Sequence, residues 1–465
     1  MLLVTMEMAE LITRQKVLNR CISILFGLLT LASIRQWLNI NIGNTTIWWF
    51  FETIFLLGTI FLSLYDYIIE KYQWNKKRYK VILVLVYALK NKNKILFAKA
   101  ILYFKHLWNN RVNKNVYPIP IIIYLLWILL SIILGCFKAT GYWDWKTLYN
   151  NSMIYTLPVI VVYFSSPANI KYVCQTWIII AMSLFCFLLP FMQLECPAKF
   201  LVPFAFFIVF WPYYNRKGVI ACLVAFICVF MFGTIGSRSS VIRFLASLLF
   251  SFMVLFRQYI NRWFFTFTSL LLLFTPIVLF WLGVTGHFNI FKIGEYIDLD
   301  VKVESAYKDG ATENLSSDTR TFLYEETLGS AIEHDYWLIG NSLSQGYYSN
   351  YFGHLDEVEG RGMRNACEVG ILNIFTNLGI IGVLIYMSIY IYTIINVFIN
   401  SNNKSLYVIA VLLAFRWLFS FLEEFTRFDL NTIFLWIEIA MCNSPYFLRM
   451  TDAQFKMWAR NLLFK

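Results

Sequence analysis

Apolar segments long enough to cross a bilayer follow one another along nearly the whole chain, interrupted once by an acidic stretch from 284 to 367. Backbone N–H and C=O groups inside a hydrocarbon layer about 30 Å thick find partners only within a helix or a closed barrel, and a helix needs roughly 20 apolar residues to cross it. On that criterion spans are expected near 18–39, 45–68, 117–136, 151–166, 172–191, 199–214, 218–236, 241–256, 263–283, 368–398, 406–422 and 430–447. Hydrophobic residues are 59% of the chain and charged residues only 14%, too little charge to cover a soluble domain of this length. The expected fold is an all-α polytopic membrane protein of about twelve transmembrane helices with one large, partly helical external loop. Its parts are residues 1–283 with nine helices, the loop at 284–367, and 368–465 with three helices and a basic tail.

Lysine and arginine resist translocation and collect on the cytoplasmic side. Residues 70 to 115 hold twelve of them against one acid, Glu70, so this connection is expected inside. Its apolar stretches at 81–89 and 95–104 are too short and too lysine-broken to span; they read as amphipathic helices on the anionic inner leaflet. Counting spans from that anchor puts Arg14, Lys16 and Arg20, Arg216 and Lys217, Arg257 and Arg262, Lys404, and the tail with Arg449, Lys456, Arg460 and Lys465 all inside. The same parity sends 284–367 outside, where fourteen of the 27 acids face six Lys or Arg. The net charge of +12 thus follows from topology, with no nucleic-acid partner implied. The first span is too long for a cleaved signal peptide and is expected to stay as an anchor. Nine cysteines form no CxxC pair and no zinc spacing; Cys196 and Cys367 lie near the outer face, where unpaired thiols are expected over a disulfide.

Three stretches carry candidate chemistry. In Gly233-Thr234-Ile235-Gly236-Ser237-Arg238-Ser239-Ser240-Val241-Ile242-Arg243 the chain turns at the outer end of one span and begins the next. A cation at the bilayer centre costs at least about 2.5–3.5 kcal/mol, so Arg238 and Arg243 are site candidates; the plainer reading of Arg238 is an interfacial side chain snorkelling to water. In the loop, Ser316 to Leu328 has helix-start character at Ser317 or Asp318, with Arg320 in the first turn. A cation there opposes the helix dipole, and a bound anion would relieve the conflict. Trp337-Leu338-Ile339-Gly340-Asn341-Ser342 and Gly346-Tyr347-Tyr348 suggest an ordered turn whose aromatics suit sugar faces or ordinary packing. Finally, Glu359-Gly360-Arg361-Gly362-Met363-Arg364-Asn365-Ala366-Cys367-Glu368 stands where the loop re-enters the membrane, followed by Asn377-Leu378-Gly379-Ile380-Ile381-Gly382, whose glycines permit close helix packing.

In this order and on this topology, the three stretches resemble the superfamily of O-antigen polymerases and ligases, membrane glycosyltransferases with about twelve spans, cytoplasmic termini and one large periplasmic loop. The matching residues are the Ser237-Arg238-Ser239 turn, Arg320 opening a loop helix, Gly340, and the re-entry segment ending in Leu378-Gly379-Ile380-Ile381-Gly382. The resemblance implies a bacterial inner-membrane enzyme that takes undecaprenyl-pyrophosphate-linked glycans as donor and acceptor, among membrane lipid. It also implies that Arg238 and Arg320 hold the pyrophosphate. Ligases of the superfamily carry His-Asn at the re-entry point where this chain has Arg364-Asn365, a departure that favours a polymerase.

A sugar hydroxyl attacking the anomeric carbon expels polyprenyl pyrophosphate, a leaving group already stable as an anion, so charge stabilisation matters more than acid catalysis. Arg238, Arg320, Arg364 and Glu368 are the expected catalytic residues; Arg243, Arg361, Asn365, His334 and Tyr347 are expected to contact substrate. No metal or other cofactor is called for, and Asp298-Leu299-Asp300 is a lone Asp-x-Asp match. Glu368, His334, His354, Glu325 and Asp318 stand open as general bases, and binding of a chain-length regulator is left open. Two other readings compete: an O-antigen ligase transferring polymer to lipid A core, and a flippase for lipid-linked oligosaccharide, against which Arg416 and Glu438 are few charges for a gradient-driven pathway.

Overall fold

The computed structural model describes residues 2–35, 38–40, 47–65, 68, 117–193, 196–232, 238–292, 302–304, 312–314, 320–350, 362–423 and 427–464. The basic connection at 70–115, with its two expected amphipathic helices, lies outside them, as do Arg361, His354, Asp318 and the Asp298-Leu299-Asp300 match.

The described chain is a helical bundle. In order run α1 (Leu2–Ile34), α2 (Ile47–Tyr65), α3 (Ile119–Lys138), α4 (Tyr142–Tyr155), α5 (Pro167–Leu188), α6 (Cys196–Leu201), α7 (Phe204–Val209), α8 (Arg216–Phe232), α9 (Arg238–Phe256) and α10 (Arg262–Val284). After the loop helix α11 (Thr321–Glu333) come α12 (Gly370–Asn400), α13 (Lys404–Ser420), α14 (Leu430–Asn443) and α15 (Asp452–Arg460). Among the described residues strands are confined to the loop, where β1 (Lys302–Glu304) pairs antiparallel with β2 (Thr312–Asn314) and β3 (Tyr347–Tyr348) with β4 (Met363–Arg364).

Six of these helical stretches, Gln15–Ile34, Ile47–Tyr65, Ile119–Lys138, Pro167–Phe191, Arg262–Val284 and Gly370–Asn400, are long and apolar enough to cross a bilayer by length and composition. The expected count of twelve goes beyond this. Ser240–Phe256 and Leu430–Asn443 are apolar but shorter, and two expected spans are broken by proline. The span at 151–166 divides into the end of α4, a 3-10 turn at Leu157–Ile160 containing Pro158, and a helical turn at Val161–Phe164. The span at 199–214 divides at Pro203 between α6 and α7, then ends in a 3-10 turn at Trp211–Tyr213 containing Pro212. Proline lacks the N–H that would continue the helix and clashes with the carbonyl four residues back.

Burial separates lining helices from central ones. On α10 the exposed side chains Trp263, Phe267, Leu271, Phe274, Val278 and Trp281 recur every three or four residues, an outward apolar stripe suited to lipid. By contrast α13 buries all but a few of its residues, including Arg416, and packs against α9, α10, α12 and α14.

Helix ends gather in two groups. At one, Arg257 Nε donates to Asp452 Oδ1 (3.3 Å), Lys404 Nζ donates to the carbonyls of Gln258 and Ile260 (both 3.1 Å), and Trp458 Nε1 donates to the Pro167 carbonyl (2.9 Å). At the other, Asn39 N–H donates to the Phe191 carbonyl (2.8 Å), Lys138 Nζ to Asn341 Oδ1 (3.1 Å), and Asn289 Nδ2 to Thr321 Oγ1 (2.8 Å). These are the basic end and the loop end of the bundle.

Candidate functional site

The loop end is organised by a break in α12. Gly379 adopts φ 68° and ψ −174° inside the helix, a conformation open to glycine and strained for any side chain. The turn Trp337–Asn341 fills the gap. Ile380 N–H donates to the Trp337 carbonyl (2.9 Å), Ile381 N–H to that of Leu338 (3.3 Å), and Asn341 N–H to that of Thr376 (2.7 Å). From α3, Trp127 Nε1 donates to the Leu378 carbonyl (3.0 Å) and Ser131 Oγ to that of Asn377 (3.2 Å). The backbones approach so closely that a Cβ on Gly340 would stand 2.5 Å from Asn377 O. The Gly340 turn and the Asn377–Gly382 run, far apart in sequence, are two halves of one interlock.

Just ahead of α12 the re-entry segment is clamped twice. Asn373 accepts from Cys367 N–H and donates to its carbonyl, both at 2.9 Å, while β4 pairs with β3 so that Tyr347 stands opposite Arg364. Residues opposed across an antiparallel ladder share a face. Arg364 Nη1 accordingly donates to the Tyr347 hydroxyl (3.2 Å), and Nη2 pairs with Glu368 Oε1 at 2.7 Å. Burial draws the Arg364 guanidinium down, but Tyr347 and Glu368 together hold it above its ordinary value. Tyr347 is itself buried, so it bears on a ligand through Arg364. Its exposed neighbour Tyr348 stacks against His334, ring centroids 3.9 Å apart. Asn365 is exposed in the turn after β4.

Arg320 is the N-cap residue of α11, which begins at Thr321, so its charge stands at the cap and not within the first turn; Ser317 and Asp318 lie outside the described residues. The conflict between its charge and the helix dipole is met by Glu423, just past the end of α13, 3.7 Å away. One turn into α11, Tyr324 donates its hydroxyl to the Phe421 carbonyl (2.6 Å). Beside this joint lies an apolar cavity of about 410 Å³ between α10, α11 and α13, lined among others by Pro276, Phe280, Phe291, Thr321, Tyr324 and Phe421.

Arg238 opens α9 and is described through its backbone alone. Five residues further, about 7.5 Å along the helix axis, the Arg243 guanidinium lies 5.1 Å from the ring centroid of Phe419 on α13. Arg243 and Arg427 both draw down the Asp429 carboxyl, against a larger upward pull from burial.

Arg243 and Arg320 thus meet the same end of α13, through Phe419 and Glu423. Arg320 and Arg364 both bear on Cys367, whose thiol burial pushes up to about 12 although these two cations oppose the rise. Three guanidiniums from three segments converge on the loop end. Glu423, the buried Cys367, Tyr324 and Lys138 are members that sequence reasoning missed; the pair Glu423-Glu424 at the end of an apolar span was the available signal for the first. Among the described residues no group of three His, Cys, Asp or Glu side chains is placed to hold a metal ion.

A family model described as O-Antigen ligase matches residues 223–387. The matched stretch runs from α8 to the middle of α12 and contains Arg238, Arg243, Arg320, Arg364, Glu368 and both halves of the interlock, while α13 and α14 lie beyond it. Comparison with curated proteins and with solved structures gives no match.

Proposed function

We propose that this chain, whose residues 223–387 belong to the O-antigen ligase and polymerase superfamily, polymerises undecaprenyl-pyrophosphate-linked repeat units into surface polysaccharide at the periplasmic face of the bacterial inner membrane. The carrying observation is Arg320 at the joint beside an apolar cavity of about 410 Å³, with Arg364 bearing with it on Cys367 and Arg243 meeting Phe419 at the same end of α13. A lipid diphosphate needs that combination: cations for the head, and beside them an apolar cleft for the chain.

In this reading the acceptor hydroxyl oxygen forms a bond to the donor's anomeric carbon, the bond from that carbon to the pyrophosphate oxygen breaks, and the electron pair leaves with the diphosphate. Arg238, Arg243 and Arg320 stabilise the departing charge; a full charge pair at 4 Å and an effective dielectric near 20 amounts to about 4 kcal/mol before desolvation. Arg364 adds a fourth cation, held in place by Tyr347 and Glu368. Glu368 takes the hydroxyl proton, its carboxylate standing half-buried at the re-entry point.

The ligase reading draws on the family whose model matches, O-Antigen ligase. Against it stands Arg364-Asn365 where ligases carry His-Asn, with that arginine committed to Tyr347 and Glu368. A flippase would use a broken helix such as α12 to hold an ion, but the carbonyls of Thr376, Asn377 and Leu378 and the N–H groups of Ile380 and Ile381 have protein partners.

Deletion followed by electrophoresis of surface glycan separates the three. Polymerase loss leaves core with one repeat unit. Ligase loss leaves bare core with lipid-linked polymer, and flippase loss leaves bare core with lipid-linked single repeats. Within the polymerase reading, Arg320→Ala and Arg238→Ala are each expected to abolish long chains at unchanged membrane levels of the protein. Normal chain length in both variants overturns the arginine mechanism.

A further inference from the structure

One charged pair lies inside the bundle, away from the rim. Arg416 on α13 and Glu438 on α14 meet at 3.3 Å with side chains 9% and 2% exposed, and Arg416 also donates to the carbonyl (2.9 Å) and side-chain oxygen (3.2 Å) of Asn431. Beside them is a cavity of about 40 Å³ that Arg243, Ser247 and Asn431 also line. Taking two charges out of water costs several kcal/mol per ion, and apolar replacements of similar volume are often as stable or more so. Stability alone is therefore a poor account of this pair, and an ionisable residue at membrane depth points to function.

Position supplies the role. Arg416 is one turn below Phe419, against which Arg243 rests, and two turns below Glu423, which Arg320 meets. Asn431, Arg416's second partner, is in the first turn of α14, two residues after its N-cap Asp429, on whose carboxyl Arg243 acts. Phe419, Asp429 and Glu423, through which Arg243 and Arg320 meet this part of the molecule, thus all belong to the corner where α13 passes into α14.

We infer that Arg416 and Glu438 are positioning residues: the pair locks the α13–α14 corner so that Arg243 and Arg320 stand at a fixed spacing for one diphosphate. The inference rests on the transfer reading above. A slip of about 1 Å at a distance from the chemistry can lower turnover about a hundredfold, and a rigid corner prevents it.

The test uses the full-length protein in lipid nanodiscs with a lipid-linked repeat unit as donor and acceptor. The double variant Arg416→Met/Glu438→Leu replaces the pair by apolar side chains of similar size. Its melting temperature is expected to stay within a few degrees of the parent's, with kcat down about a hundredfold and donor KM changed far less. Parental kcat in a folded double variant overturns the inference. Should that variant not fold, Asn431→Ala, which removes one acceptor at a half-buried site, decides in its place: kcat is expected to fall severalfold, and an unchanged kcat overturns the inference. Arg320→Ala runs alongside. If it transfers normally, the arginine reading itself fails; if it is inactive while the double variant is fully active, only the positioning role fails.

Discussion

At the loop end two guanidiniums already have carboxylate partners, Arg320 with Glu423 and Arg364 with Glu368. On the proposed reading, binding of a diphosphate there is an exchange of anions, and its net gain is smaller than the bare charge count implies. Cys367 sits among these charges as a neutral group. Burial raises its thiol from 9.0 to about 12, and burial likewise raises the Tyr336 phenol from 10.0 to about 12. Both folded values exceed the ordinary ones, so the stabilisation from holding these groups protonated is fully present below about pH 9 and is lost as pH rises towards 12. Native Cys367 is therefore expected to resist maleimide at pH 8, with roughly one thiol in ten thousand ionised, and to react once the protein is denatured. Fast labelling of the native protein, located by peptide mapping, would contradict this burial.

Among the elements, α12 is the one whose irregularity matters most. The interlock between its break and Trp337–Asn341 joins the external loop to the membrane helix, and the stretch 370–378 before the break carries the Asn373 clamp on the re-entry segment. Gly379→Ala is expected to destabilise by at least about 1–3 kcal/mol from its positive φ alone; the new Cβ would also meet the Leu338 carbonyl oxygen at 2.3 Å. Gly329→Ala, in the middle of α11 with nothing within 4 Å of the added carbon, is expected to be neutral or to stabilise by up to about 1 kcal/mol. Thermal unfolding in detergent measures both, and equal melting temperatures would show that the interlock does not bear on stability.

Taken whole, the molecule has two unlike ends joined by helices. Contacts among Arg257, Lys404 and Asp452 knit the basic end, and the convergence of Arg243, Arg320 and Arg364 occupies the other. From the charge bias of the sequence the basic end is expected in the cytoplasm. With the exposed Cys136 and Cys186 changed to Ser, Glu333→Cys is expected to take an impermeant thiol reagent in spheroplasts. Lys456→Cys is expected to react only after the membrane is permeabilised. The reverse pattern would invert the expected topology and with it the face at which the proposed transfer takes place.

The helical membrane class was legible in the chain, and the loop at 284–367 and Arg238, Arg320 and Arg364 could be proposed from it, because hydropathy, charge bias and local motifs are properties of contiguous residues. Prolines 158 and 203 were equally visible, yet apolar composition alone ran each through a single span. Nothing local announced that Gly340 requires Gly379, that Glu423 answers the charge of Arg320, that Tyr347 turns inward to hold Arg364, or that Arg416 and Glu438 pair below the corner. Those are encounters between segments tens to more than a hundred residues apart. Periodicity selects which face of each helix is apolar; which neighbour that face meets, and at what height, depends on packing the whole bundle at once. That packing, and no motif, brought the cations together.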